Sequence, residues 1–291
     1  MFQKDLMKGQ KILVTGGGSG LGKEMTRRFM ELGAETVIWG RRAATLEETA
    51  AELMEKTGGT CHTESVDIRD PDSIEAGVAH MWEKGRPTGL VNNAAGNFVS
   101  PTEDLSPRAF NAIASIVLHG TFNVTTACGR RWLEESAKAS VLSIVVTWVW
   151  TGSAYVVPSA MCKSGVAAMT QSLAVEWGGR GIRFNAIAPG PFPTKGAWDR
   201  LMPGGGGKDY LETVPMKRAG EYDELGNLAT FLMAPGADYV NGQVIAIDGG
   251  QMFTGGGTFS MLEELSREQW DAMRDQVKAA NQASRAERGQ G

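Results

Sequence analysis

The stretch Lys11-Ile-Leu-Val-Thr-Gly-Gly-Gly-Ser-Gly-Leu-Gly22 decides the fold. Ile12, Leu13 and Val14 form an apolar run too short for an amphipathic helix, which is how a buried parallel strand reads. Leu21, Met25, Phe29 and Leu32 then recur at helical spacing, and Gly33 supplies the stop. Between strand and helix, Gly16, Gly18, Gly20 and Gly22 let the backbone turn tightly and approach a ligand, and the free N–H groups of the helix N-terminus attract a phosphate. Glycine turns of this kind also occur for packing alone, so the context has to decide.

The context is a βαβ unit. Thr36-Val-Ile-Trp39 arrives about one helix later and is followed by Gly40-Arg41-Arg42. An acidic residue at that strand end would bind the ribose 2′-hydroxyl of NAD, whereas two arginines suit a 2′-phosphate. The expected cofactor is NADP(H), with solvated loop charges as the plainer reading of Arg41 and Arg42.

Composition narrows the class. The chain has 291 residues, 42% hydrophobic and 21% charged, enough for one large α/β domain. A formal net charge of −4 gives no whole-molecule basis for binding nucleic acid or an anionic membrane. Cys61, Cys128 and Cys162 are odd in number and far apart, so neither a disulfide framework nor a metal site is expected. With no apolar leader and no stretch long enough to span a bilayer, the reading is a cytoplasmic protein without membrane insertion.

The pattern continues in alternation. Helices are expected over 43–56, 72–84, from Ser106-Pro107 towards Leu133, over Ser159–Trp177 and over Glu224–Met233. Strands are expected over Thr60–Val66, Gly89–Val91, Val141–Thr147, Arg183–Ala188 and Gln243–Ile247. The fold class is therefore a Rossmann-type, doubly wound parallel sheet in a single domain, residues 1–253, with a C-terminal helical extension over 254–291. A glycine linker leads into that extension, whose helix is capped by Ser266-Arg-Glu-Gln269 and carries Trp270, Met273 and Val277 on one face. The Pro- and Gly-rich run 192–210 reads as a mobile loop over the site. Asp67, at the end of the third strand, either accepts from an adenine amino group or caps the next helix.

Five motifs in this order, Thr15 to Gly22, Asn92-Asn-Ala-Ala-Gly96, a helix bearing Lys163, Pro189-Gly190 and Asp248-Gly249-Gly250, resemble the short-chain dehydrogenase/reductase family. The family's Tyr-x-x-x-Lys is missing, because Ser159 stands four residues before Lys163. Asn92 to Glu103, Val156 to Ala160, Pro189 to Ala197 and Ser266 to Trp270 resemble more narrowly the mitochondrial-type 2,4-dienoyl-CoA reductases, which also carry Ser there.

That resemblance implies NADPH-dependent reduction of a dienoyl-CoA to a 3-enoyl-CoA, and a homo-oligomer, a tetramer in the family. It places Gly16, Gly17, Gly18, Ser19, Gly20, Leu21, Arg41 and Asp67 at the adenine end of NADP(H), where the strand-end reading adds Arg42. Lys163 and Pro189, Gly190, Pro191 and Phe192 fall at its ribose and nicotinamide. The acyl-CoA thioester would meet Arg41, Arg69, Phe98, Ser106 and Arg200. Asn97 would stabilise the dienolate oxygen, and the family's tyrosine falls on Trp148. An indole can donate a hydrogen bond but has no accessible proton to give up, so Tyr155 or water would have to supply the proton. Trp148 and Trp150, two apart, could instead line an acyl channel. Ser159 could position a ligand or cap its helix. Two other readings stay open: a carbonyl or alcohol oxidoreductase of the same fold, and a non-catalytic NADP(H)-binding module.

Overall fold

The computed structural model describes residues 1–194, 211–254, 265–273 and 275–276. The strand that precedes the glycines is β1, Lys11–Thr15, and the helix after them is α1, Gly20–Glu31. The alternation then runs β2 (Glu35–Gly40), α2 (Ala43–Thr57), β3 (Cys61–Ser65), α3 (Pro71–Glu83) and β4 (Gly89–Asn92). It continues through α4 (Pro107–Ala114), α5 (Thr121–Glu134), β5 (Ala139–Ile144), α6 (Trp148–Thr151), α7 (Val157–Gly178) and β6 (Ile182–Pro189). The helix Tyr222–Met233, here α8, and β7 (Val244–Ile247) complete it. The seven strands form one parallel sheet in the order β3-β2-β1-β4-β5-β6-β7. Chain direction across the sheet reverses between β1 and β4, and open parallel sheets bind ligands in the crevice at such a point.

Both faces of the sheet are apolar because strand side chains alternate. Val37, Leu13, Leu90, Val141 and Phe184 stand side by side in register across five strands. They pack beneath Ile74, Val78 and Met81 of α3, Val124 and Trp132 of α5, and Leu173 and Trp177 of α7. The neighbouring positions Ile12, Val14 and Ile38 face the other way, onto Met25 and Phe29 of α1, Leu46 and Leu53 of α2, and Leu225 and Leu232 of α8. Each such fully buried side chain contributes roughly 1.5–3 kcal/mol. That alternation fixes register, since a slip of one residue would exchange the two cores.

Three local expectations need correction. β5 ends at Ile144 and not at Thr147: Val145 N–H still bonds Ile187 O at 2.8 Å, after which the chain leaves the sheet for α6. Trp148 and Trp150 therefore sit on a helix, where residues two apart point to opposite sides, and they do not share a face. The helix expected from Pro107 to Leu133 is interrupted by a π-helical turn at Ser115–Gly120, which seats Gly120 against Ile68. A Cβ on Gly120 would stand within 2.9 Å of the Ile68 side chain.

The chain divides into two compact units, Met1–Met252 and Phe253–Gly291. In the second, the expected cap is present: Ser266 N–H donates to Gln269 Oε1 at 2.7 Å, and Gln269 N–H donates to Ser266 Oγ at 3.3 Å. The linker 255–264, residue Val277, the loop residues 195–210 and Arg200 lie outside the described residues. No helix among the described residues is long and apolar enough to cross a membrane.

Candidate active site

The carboxyl ends of β1 to β4 surround a cavity of about 380 Å³. Gly16, Gly18 and Ser19 form one wall, Arg41, Arg42 and Asp67 another, and Asn93 to Asn97 a third. The glycine turn is locked to the loop after β4 by hydrogen bonds from side chains to the main chain. Asn93 Nδ2 donates to the carbonyls of Thr15 and Gly16 at 3.1 and 3.2 Å. Thr15 Oγ1 accepts from Asn93 N–H and Ala94 N–H at 3.1 and 3.2 Å. Asn93 and Thr15 were not among the expected site residues, although a Thr at a strand end facing an Asn pair was the available signal.

Steric limits explain the glycines. At Gly16, φ is +66° and a Cβ would stand 2.9 Å from Ala94 Cα; at Gly22 it would stand 2.5 Å from both Asn93 Nδ2 and Gly16 O. α1 starts at Gly20, and its N-cap Ser19 makes no side-chain capping bond. The first N–H groups of α1 thus remain able to bind a phosphate. This cradle fits a nucleotide pyrophosphate, and the family's NAD(P)(H) would be held here.

Arg41 and Arg42 follow β2 and are exposed, and neither forms an ion pair among the described residues. The position where a carboxylate would select NAD is filled by them. Asp67 is not the cap of α3: that role belongs to Asp70, whose side chain accepts from Asp72 N–H. Asp67 instead binds Arg69 through a forked guanidinium contact, which holds its carboxyl below the usual range. Ser106 caps α4, accepting from Ala109 N–H at 3.1 Å, and Phe98 packs against Ile113, Ala114, Val117 and Cys162.

Beyond β5 the groups are held differently. Lys163 is buried, its Nζ donates to Ile144 O, and burial pushes its ammonium down to about 8. Ser159 is buried in the first turn of α7, but it is not the cap, which is Val156; Pro158 at the second helical position was the overlooked marker. Trp148 opens α6 half-buried, and its indole N–H has no hydrogen-bond partner among the described residues. Tyr155 is 60% exposed with φ +64°, and its carbonyl accepts from Ser100 N–H at 2.9 Å. Neither Trp148, Tyr155, Ser159 nor Lys163 lines the 380 Å³ cavity; Asn97 does.

Asn97 is oriented by its neighbour. Its Oδ1 accepts from Phe98 N–H at 2.9 Å, so the amide NH₂ is the end left to donate. The loop after β6 is not part of that cavity wall; Pro191 and Phe192 line a second, smaller pocket with Gly220 and Asp248. Gly190 N–H bonds Ile247 O at 3.0 Å, and a Cβ on Gly190 would stand 2.6 Å from Asp248 Cβ. Gly220 N–H bonds Pro191 O at 3.0 Å, Phe192 is buried, and the Tyr222 hydroxyl donates to Pro193 O. Thr194 reaches the glycine turn, 3.4 Å from where a Cβ on Gly20 would stand.

Comparison with known proteins places this arrangement. The sequence model of the enoyl-(acyl carrier protein) reductase family matches residues 16–252. A Caenorhabditis elegans protein named probable 2,4-dienoyl-CoA reductase 3, (3E)-enoyl-CoA-producing, is 46% identical over 84% of this chain and 81% of its own. A Bacillus subtilis (strain 168) protein named probable 2,4-dienoyl-CoA reductase, (2E)-enoyl-CoA-producing, is 39% identical over 84% of this chain and 97% of its own. The crystal structure of a short chain dehydrogenase from Bacillus anthracis superposes with a TM-score of 0.79 at 42% identity, covering 84% of this chain and 97% of that one. The chain belongs to the short-chain dehydrogenase/reductase family and is an oxidoreductase.

Proposed function

We propose that this enzyme uses NADPH to reduce a conjugated 2,4-dienoyl-CoA to a 3-enoyl-CoA. The observation that carries the reading is Asn97: its carbonyl end is fixed by Phe98 N–H, and its NH₂ is left to donate at a wall of the cavity. When bound, the dinucleotide supplies the hydride. Hydride arrival at the far end of the diene pushes negative charge onto the thioester oxygen. A preoriented amide donor aimed at that charge is worth roughly 3–4 kcal/mol.

The other residues divide the work. Gly16 to Gly20 and the N-terminus of α1 hold the pyrophosphate, and Arg41 and Arg42 favour a 2′-phosphate over a free hydroxyl. Lys163, buried and donating, binds the ribose hydroxyls. Trp148 adds an N–H donor at the family's tyrosine position but cannot release a proton, so water delivers the proton that completes the reaction. Tyr155 is less suited, because its ring is 60% exposed to solvent. Arg41 and Arg69 offer guanidinium forks to the CoA phosphates. The expected homotetramer would draw on exposed apolar side chains such as Phe122 of α5 and Val175 of α7.

The test is NADPH oxidation by purified protein with a 2,4-dienoyl-CoA, a saturated acyl-CoA and a Trp148→Tyr variant in parallel. Oxidation that requires the diene and yields the 3-enoyl product is expected in the wild type. The two named relatives carry different product labels, so the double-bond position has to be read by mass spectrometry or NMR. No turnover in wild type, with activity gained by Trp148→Tyr, sinks the reading for the natural protein.

A further inference from the structure

Asp67 forms part of the cavity wall just after β3, and one residue takes up its carboxylate. Arg69 donates its backbone N–H to Oδ1 at 3.1 Å, shares its Nε–H between Oδ1 and Oδ2 at 2.9 and 3.0 Å, and donates from Nη2 to Oδ2. An ionised carboxylate has about four lone-pair positions, and three N–H groups of Arg69 crowd both of its oxygens. An adenine amino group that needs Asp67 as its acceptor therefore competes with Arg69.

The two partners differ in freedom. The Asp67 backbone is fixed, because its N–H donates to Ser73 Oγ at 3.2 Å and the adjacent Ile68 is buried against Gly120. The Arg69 side chain is 45% exposed and can swing. Arg41 acts on the same carboxylate through its charge, and Arg42 stands beside it on the cavity wall. Three guanidinium groups and one carboxylate thus gather on one rim, a charge balance that favours a polyphosphate.

We propose that Arg69 couples the two ligands: it occupies Asp67 until the phosphates of the CoA thioester draw its guanidinium away, so that CoA and NADPH strengthen each other's binding. This rests on the function proposed above. Exchange of a carboxylate for a phosphate keeps the guanidinium doubly bonded at both ends of the swing. An ion pair this exposed is weak, which limits the coupling to about two- to fivefold.

The experiment is an NADPH titration followed by nucleotide fluorescence, with and without saturating free coenzyme A, on wild type and Arg69→Gln. In wild type, coenzyme A should lower the NADPH Kd about two- to fivefold, and NADPH should lower the coenzyme A Kd by the same factor. Arg69→Gln should bind NADPH about two- to fivefold tighter than wild type without coenzyme A, and adding it should change nothing further. Independent binding of the two ligands in wild type, an equal coupling in the variant, or weaker NADPH binding by the variant overturns the coupling while the reductase reading stands. Failure of coenzyme A to bind either protein overturns both.

Discussion

The two halves of the site are built by different means. Around β1 and β4, position is set by the backbone: glycines where a Cβ would collide, and Asn93 and Thr15 bonding main-chain groups across the crevice. Around β5 and α7, position is set by single side chains: a buried Lys163 on one carbonyl, an indole with no partner among the described residues, an exposed Tyr155. The first half offers a glycine turn and an uncapped helix start that fit a pyrophosphate. The second is where this chain departs from the family pattern, with Trp148 and Ser159.

The sharpest test of the first half is Asn97→Ala, because Asn97 shares a cavity with the glycine cradle but adds a side-chain donor to it. The variant keeps the glycine cradle, so NADPH affinity should change less than about threefold, while kcat for the dienoyl thioester should fall by about 10²–10³. Steady-state kinetics beside a binding titration checks it. A fall in NADPH affinity as large as the fall in kcat would mean that Asn97 shapes the cradle and stabilises no oxygen.

How much of this was legible depends on whether the cause was local. The glycine turn, the short apolar run Ile12, Leu13 and Val14, and the Ser266–Gln269 cap are local rules, and the structure follows them. The π-helical turn at Ser115–Gly120 was not legible, since Ser-Ile-Val-Leu-His-Gly carries no signal of its own; the extra width goes with a contact between Gly120 and Ile68, distant in sequence. The end of β5 was misplaced because Val145, Val146 and Thr147 all favour strands, yet the chain turns there to enter α6. Arg69 shows a middle case. Its nearness to Asp67 is obvious in the sequence, but the fork that engages both carboxylate oxygens exists only in the folded loop.

Gly22→Ala probes the backbone half. Its Cβ would stand 2.5 Å from both Asn93 Nδ2 and Gly16 O, so Asn93 has to shift and the bonds that tie the turn to β4 weaken. Overpacking of this kind costs about 1–3 kcal/mol, readable in a urea titration, and NADPH affinity should fall with it. Full stability with unchanged NADPH binding would show that the loop after β4 yields, and that the first half is less rigid than the contrast requires.

Lys163 probes the other half through pH. Burial lowers its folded pKa to about 8 from the usual 10.5, so the folded state resists protonation that the unfolded chain accepts. The cost is full below about pH 8 and disappears as pH rises towards 10.5. Relative to Lys163→Met, wild type should therefore gain stability across that window, by roughly 1–3 kcal/mol, whatever the variant's own baseline. Paired denaturation curves at pH 7.5 and pH 10 read the difference. A gap that stays constant would place the ammonium in contact with water or an anion, and α7 would then be less closed than its burial implies.

The smallest expected effect bears on the exposed rim of the β1–β4 half. Arg41 and Arg42 stand there. Both are exposed, so each interacts through screened water and contributes modestly, about five- to tenfold in affinity for a doubly charged phosphate. Arg41→Ala and Arg42→Ala should each weaken NADPH by that factor, leave NADH nearly unchanged, and lose the difference in high salt. If that holds, cofactor choice sits on two solvent-facing charges laid over a backbone cradle indifferent to the 2′ position. Should both variants weaken NADPH and NADH equally, the arginines serve the phosphates common to both cofactors, and selection of NADPH has to come from elsewhere on the rim.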